Sequence, residues 1–191
     1  MNSVDLESRI LEVFARAHIR RGGFDDIAFI VARETSDRGS KTISAYTADQ
    51  HARLMVSRDA LYGMFECSGR PVGYVLLCGL ESAHRSLEVR RIFIEPQGTG
   101  MGRRFLALLR DTLVARGLFE RLWLDVFEDN LPARQIYTDL GFLPEGRLRN
   151  AAIRAGRSID LILMSVTPED LEADVRGAPN SCGSPVGVGA R

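Results

Sequence analysis

Residues 86–102 read SLEVRRIFIEPQGTGMG, and residues 103–117 continue RRFLALLRDTLVARG. An extended apolar stretch ends at Pro96, a loop of alternating glycines comes next, and an amphipathic helix starts within the same few residues. Glycines at 98, 100 and 102 let backbone approach a ligand closely, and the first N–H groups of the next helix have no partner in their own ladder. The helix macrodipole favours negative charge at the same place. The spacing therefore predicts an anion site whose natural guest is a phosphate or pyrophosphate.

Three nucleotide-type loops compete for this pattern. A GxxxxGK[ST] loop needs a Lys and a hydroxyl for the terminal phosphates and magnesium, but Gly102 is followed by Arg103 and Arg104. A dinucleotide fingerprint needs GxGxxG opening a βαβ unit early in its domain, whereas the spacing here is GxGxG and the loop lies mid-chain. Asp125, at the right distance to hold a ribose, sits inside an apolar strand pattern. The third loop type depends on the residues downstream of the helix. Residues 121–127 (RLWLDVF) read as a buried strand, EDN at 128–130 breaks it, and LPARQIYTDLGF at 131–142 reads as a short helix stopped by glycine. Asn130 suits the N-cap, Pro132 the first turn and Gly141 the stop, while Ala133, Ile136, Tyr137 and Leu140 share one helical face.

The Q-G-T-G-M-G loop paired with N-x-x-A-x-x-x-Y-x-x-x-G-F about 30 residues later resembles the GNAT N-acetyltransferase superfamily over roughly residues 26–166. The resemblance implies an α/β (α+β) fold with a mixed, mostly antiparallel central sheet and flanking helices. It also implies acetyl-CoA as co-substrate, no metal, and transfer to a primary amine in a ternary complex. The cofactor contacts it implies are the backbone of Ile92, Phe93 and Ile94, the loop Gln97, Gly98, Thr99, Gly100, Met101 and Gly102, then Arg103, Asn130 and Tyr137. Here Gln97 follows Pro96 directly, where many members insert two or more residues, so the strand-to-loop turn departs from the family pattern while the glycine spacing survives.

Catalytic candidates each have a bland counterpart. Tyr137 is read as the general acid for the departing thiolate, since a phenol is protonated at neutral pH; its apolar spacing equally suits packing. Glu88 is read as the base that deprotonates the acceptor ammonium, or as half of an ion pair with Arg90 or Arg91; Glu81 and Asp125 are weaker candidates. Asn130 caps its helix and, by the resemblance, bonds the cofactor. Arg103 and Arg104 either meet phosphates or are solvated surface arginines. His18, His51 and His84 are scattered and read as surface residues, with His51 and His84 in segments able to border the acceptor pocket. That pocket is expected from residues 34–60 and 148–160, and its acceptor is a small-molecule or protein amine. A different class of function, a catalytically weak acyl-CoA-binding sensor or regulatory module, would keep the glycine loop and Asn130 and gain nothing from Tyr137 or Glu88.

Composition bounds the rest. The 191 residues, 45% hydrophobic, suffice for one well-buried core, and 25 basic against 25 acidic residues leave no global field for nucleic acid or membrane. Cys67, Cys78 and Cys182 are widely spaced without CxxC, which argues for free thiols in a reducing compartment; Cys67 and Cys78 are expected in the core. No 18-residue apolar run or signal-peptide h-region is seen, so a soluble cytoplasmic protein is expected. Residues 4–21 read as an amphipathic helix, packed on the domain or serving as a dimerisation arm, so a homodimer is possible. The chain divides into three units: an N-terminal helix at 1–23, an acetyltransferase domain at 24–168, and a largely disordered tail at 169–191 that opens with a short polar helix. Within the domain, Ile27–Arg33 reads as the first strand, residues 45–57 as weakly helical, and residues 61–80 as a hairpin. Residues 87–127 read as a βαβ unit in a mixed sheet, and residues 142–147 and 158–166 as the last strands.

Overall fold

Strands β1 (Ile19–Arg21), β2 (Ala60–Cys67), β3 (Arg70–Cys78), β4 (Ser86–Ile94), β5 (Arg121–Phe127), β6 (Leu143–Arg154) and β7 (Arg157–Val166) form one sheet in the order β1-β2-β3-β4-β5-β7-β6. The computed structural model describes residues 3–16, 19–37, 39–42, 44–95 and 98–177. Helices are α1 (Ser3–Arg16), α2 (Ile27–Glu34), α3 (Gly39–Thr42), α4 (Ala48–Met55), α5 (Met101–Ala115), α6 (Leu131–Asp139) and α7 (Pro168–Gly177). Among the described residues only β4 and β5 pair in parallel, because the α5 crossover returns the chain in the same direction. The other neighbours are antiparallel. The mixed sheet with its helical crossover is the one the sequence predicts.

Side-chain alternation along the central strands feeds two cores. On one face Leu87, Val89, Leu122, Leu124 and Val126 pack against Leu106, Leu109 and Leu113 of α5 and Leu140 after α6. Leu6 and Ile10 of α1 join the same core, and Arg9 Nη2 donates to the Arg116 carbonyl at 2.6 Å, so the N-terminal helix packs on its own sheet. On the other face Tyr62, Met64, Tyr74, Leu76 and Phe93 pack under Ile30 of α2, with Leu54 and Met55 of α4 against them.

The first strand differs from the sequence reading. Ile27–Arg33 is not a strand but most of α2, and the first strand is Ile19–Arg21. A short continuous apolar run is equally compatible with a buried strand or a helix. Here Ile30 and Glu34, one turn apart, are the fully buried positions. Asp26 accepts from Arg20 Nη2 at 2.7 Å and from the Gly23 amide at 2.9 Å, which sets the turn into the helix. The expected helix at 4–21 stops by Arg16, and β6 runs to Arg154, well past residue 147.

Two features of β4 open the site. β4 and β5 pair over only three rows, Ser86–Arg121, Leu87–Leu122 and Glu88–Trp123, and then separate. In addition, Leu76 and Leu77 of β3 face Arg91 and Val89, which leaves Arg90 as an extra residue in a β-bulge. A bulge bends its strand and re-aims the side chains beyond it.

Candidate active site

The wedge between β4 and β5 leads into a cavity of about 890 Å3. It is lined by Glu88–Ile94 on one side, Asp125–Phe127 on the other, and the glycine turn with Asn130 and Tyr137 at its end. At that end the backbone of Gly98 and Gly100 is left-handed, with φ of 73° and 74°. A Cβ built on either glycine would meet no protein atom within 4 Å, so the space over this turn is left open at the N-terminus of α5. Arg103 is an exposed cation at the same end, 3.6 Å from Asp139. An opening with glycine backbone, a long helix start and a nearby guanidinium fits a pyrophosphate. Gln97 lies outside the described residues, as do Pro96, His18, Cys182 and the 178–191 part of the tail.

The next segment behaves as its spacing requires. Asn130 Oδ1 accepts from the Ala133 amide at 3.4 Å as the cap of α6, and Gly141 closes the helix with φ of 82°. Tyr137 is half-buried against the α5 side core, its ring centroid 6.0 Å from that of Phe142. Burial, then the charge of Asp125, pushes its phenol up to about 12, so it is protonated at neutral pH.

The two carboxylates lining the wedge differ. Glu88 Oε2 accepts from Arg90 Nε at 3.0 Å and Nη2 at 2.6 Å, the ion pair of the bland reading. Asp125 has no side-chain hydrogen bond or ion pair among the described residues; it is recessed between the splayed strands yet open to the cavity. Burial first, then the charge of Glu88, raises its carboxyl above the usual aspartate range, although Arg90 and Arg91 pull the other way. Glu81 is exposed and stands apart from the cavity wall.

Beneath the acceptor side lies a buried polar cluster that sequence reasoning missed. Glu34 accepts from Arg91 Nη1 at 3.0 Å, from the Tyr46 amide at 2.7 Å and from the Tyr74 hydroxyl. His51, read from sequence as a surface residue, is fully buried, with Nε2 3.4 Å from Glu34 and Nδ1 2.7 Å from the Tyr62 hydroxyl. Burial alone would raise the Glu34 carboxyl, but His51, Arg91, Tyr74 and the Tyr46 amide together hold it below the usual range. Arg91 also donates to the Ser44 carbonyl at 2.7 Å and lies 3.4 Å from the centre of the Tyr46 ring. The cluster thus fixes Ser44 and Tyr46, which line the cavity. Ala151 and Ala152 of β6 line it opposite, within the 148–160 stretch expected to carry the acceptor pocket. Cys78 is buried as expected, whereas Cys67, near the tip of the β2–β3 hairpin, is exposed.

The profile of the Acetyltransferase (GNAT) family matches residues 27–142, from α2 to the end of α6. The chain belongs to the GNAT acetyltransferase family. GNAT enzymes use acetyl-CoA, and the chain is an acetyl-CoA-dependent N-acetyltransferase. No curated protein matches it in sequence. Its fold is similar to that of a spermidine N-acetyltransferase from Vibrio cholerae in complex with CoA and spermine, at 22% identity and a TM-score of 0.69 over 80% of this chain and 95% of that one. It is similar also to the spermidine/spermine N-acetyltransferase SpeG from Vibrio cholerae in complex with manganese ions, at 22% identity and a TM-score of 0.66, covering 82% and 95%. Among the described residues no group of three or more His, Cys, Asp or Glu side chains is placed to hold a metal, and no helix is long and apolar enough to cross a membrane.

Proposed function

We propose that this GNAT enzyme acetylates a primary amine by direct attack in a ternary complex, with Asp125 receiving the amine's proton and Tyr137 protonating the departing thiolate. Acetyl-CoA supplies the acetyl group as an activated thioester. The turn Gly98–Gly102, with Arg103, holds its pyrophosphate, and the backbone of Ile92–Ile94, where β4 has left β5, flanks the pantetheine and acetyl end. Asn130 combines its capping role with a bond to the cofactor.

An acceptor amine is an ammonium at neutral pH and must lose a proton before its lone pair can attack. Glu88 is held by Arg90, while Asp125 has its whole acceptor capacity free and a pKa closer to neutrality than an ordinary aspartate. Asp125 takes the first proton from the ammonium before attack. As the C–N bond forms and the C–S bond breaks, the nitrogen's second proton leaves to solvent while Tyr137 protonates the thiolate. Solvent then takes the proton from Asp125 and returns one to Tyr137, for a net release of one proton. The two groups are coupled. The Asp125 charge raises the Tyr137 phenol, so neutralising Asp125 with the amine's proton makes Tyr137 a stronger acid when the thiolate needs it.

The observation that carries this reading is the unpartnered Asp125 in the wall of the same cavity that Tyr137 lines at its end. The named activities of the similar Vibrio cholerae enzymes, which act on spermidine and spermine, support an amine acceptor. The test is thiol release from acetyl-CoA against a panel of amines and peptides, with products weighed for one added acetyl group. Binding of acetyl-CoA without turnover on any acceptor would make the protein an acyl-CoA-binding module instead.

A further inference from the structure

The charges around the acceptor side of the wedge cancel in pairs, save one. Glu88 is taken by Arg90. Arg91 is taken by Glu34 behind the wall. Arg154 of β6 donates to Asp129 at 3.1 Å while its guanidinium lies 4.9 Å from the centre of the Phe127 ring. Asp125 and Glu88 are the only carboxylates among the described residues that line the cavity, and of the two only Asp125 makes no ion pair.

Resting on the acetyl-transfer reading above, we propose that the acceptor is a singly charged amine, one ammonium on a neutral body, and that polyamines are poor acceptors. One free carboxylate neutralises one ammonium. A second ammonium brought into the wedge finds no free carboxylate, because Glu88, Glu34 and Asp129 are each already paired with a guanidinium, and a cation left without a counter-charge in a recessed site is costly. Aromatic faces are the other means of holding a cation. Of the four rings lining the cavity, Tyr46 is already engaged by Arg91 and Phe127 by Arg154, while Phe93 is buried in the α2-side core and Tyr137 packs against the α5-side core. What the remaining wall offers is neutral: Ala151, Ala152 and Leu161 from the β6–β7 hairpin. These suit the body of a monoamine or the first residues of a peptide, and both carry the same single ammonium.

The experiment compares kcat/KM for 2-phenylethylamine, a hexapeptide whose α-amine is its only cation, spermidine and spermine, together with calorimetric binding of CoA. At least one single-ammonium acceptor is expected to exceed both polyamines by about tenfold or more, and the two monocations separate a free amine from a peptide terminus. Arg90→Gln frees Glu88 and adds a second unpaired carboxylate. Its spermidine-to-monoamine ratio is expected to rise about tenfold over the unmodified enzyme. Polyamines equalling the monoamines, or a ratio unmoved in Arg90→Gln, would overturn the inference and leave acetyl transfer standing. Absence of thiol release with every amine while CoA still binds would overturn the transfer reading and this inference with it.

Discussion

Glu34 and Asp125 face opposite fates around one sheet. Glu34 is buried at the end of α2 with a guanidinium, an imidazole, a phenol and a backbone amide about it, and every one of those groups favours its charged form. Asp125 lies where β4 and β5 part, with no partner among the described residues, and the protein disfavours its charge. A charge satisfied on all sides holds walls in place, whereas a charge left unsatisfied beside a cavity is available to a ligand. On the proposed mechanism the exposed position is the reactive one, and the buried cluster, richer in titratable groups, is its scaffold.

The comparison breaks most visibly at the scaffold. Glu34→Ala leaves Arg91 buried without its counter-charge and is expected to cost about 3–5 kcal/mol of stability, read as a large fall in Tm. Glu34 is held below the ordinary glutamate value of 4.5, so its contribution is complete above that pH and is lost as pH falls through the folded value. Melting curves of the variant should accordingly converge on those of the parent in strong acid. An unchanged Tm at neutral pH would mean that the cluster does not hold the acceptor wall.

Asp125→Asn keeps size and removes the charge. Turnover should fall about 10³-fold with Tm nearly unchanged, within the range for acid–base assistance. The parent's kcat/KM should rise with pH as Asp125 ionises, with a midpoint above the ordinary aspartate range because burial and Glu88 raise it. That limb should vanish in Asp125→Asn; if it stays, Glu88 or a water chain takes the proton.

Tyr137→Phe keeps the ring beside Phe142 and removes the hydroxyl, so turnover should drop about 10²-fold at unchanged acetyl-CoA affinity. Near-parental turnover at saturating substrate would assign proton delivery to solvent. The smallest effect belongs to the far end of the cavity. Gly100→Asp puts a negative side chain into the open space over the turn and should weaken acetyl-CoA binding about tenfold, ~1.4 kcal/mol, by calorimetry.

What was legible in the sequence was local. The glycine turn, the α5 start, the Asn130 cap and the Gly141 stop are set by residues a few positions apart, and the structure has all four. The hairpin of β2 and β3 was equally local, with Ser68 and Gly69 at its tip adopting positive φ. The misread parts depend on partners far along the chain. Ile27–Arg33 had no periodicity to separate strand from helix, and His51 looked solitary because Glu34 and Tyr62 reach it only through the fold. The proposed choice of Asp125 over Glu88 rests on Arg90 closing on Glu88 while no described residue closes on Asp125, which a list of candidate acids does not reveal.

The bulge at Arg90 also reverses parity along β4. Before it, even-numbered Glu88 faces the α2 side and odd-numbered Val89 the α5 side; after it, odd-numbered Arg91 and Phe93 face α2 while Ile92 and Ile94 face α5. The strand is therefore written in two phases joined at one residue. Deleting Arg90 would make Val89 and Arg91 neighbours opposite Leu77 and Leu76 and leave every face as it is, whereas keeping Arg90 as an ordinary, in-register residue would turn Arg91 out of its pocket and Ile92 away from the core in a single step.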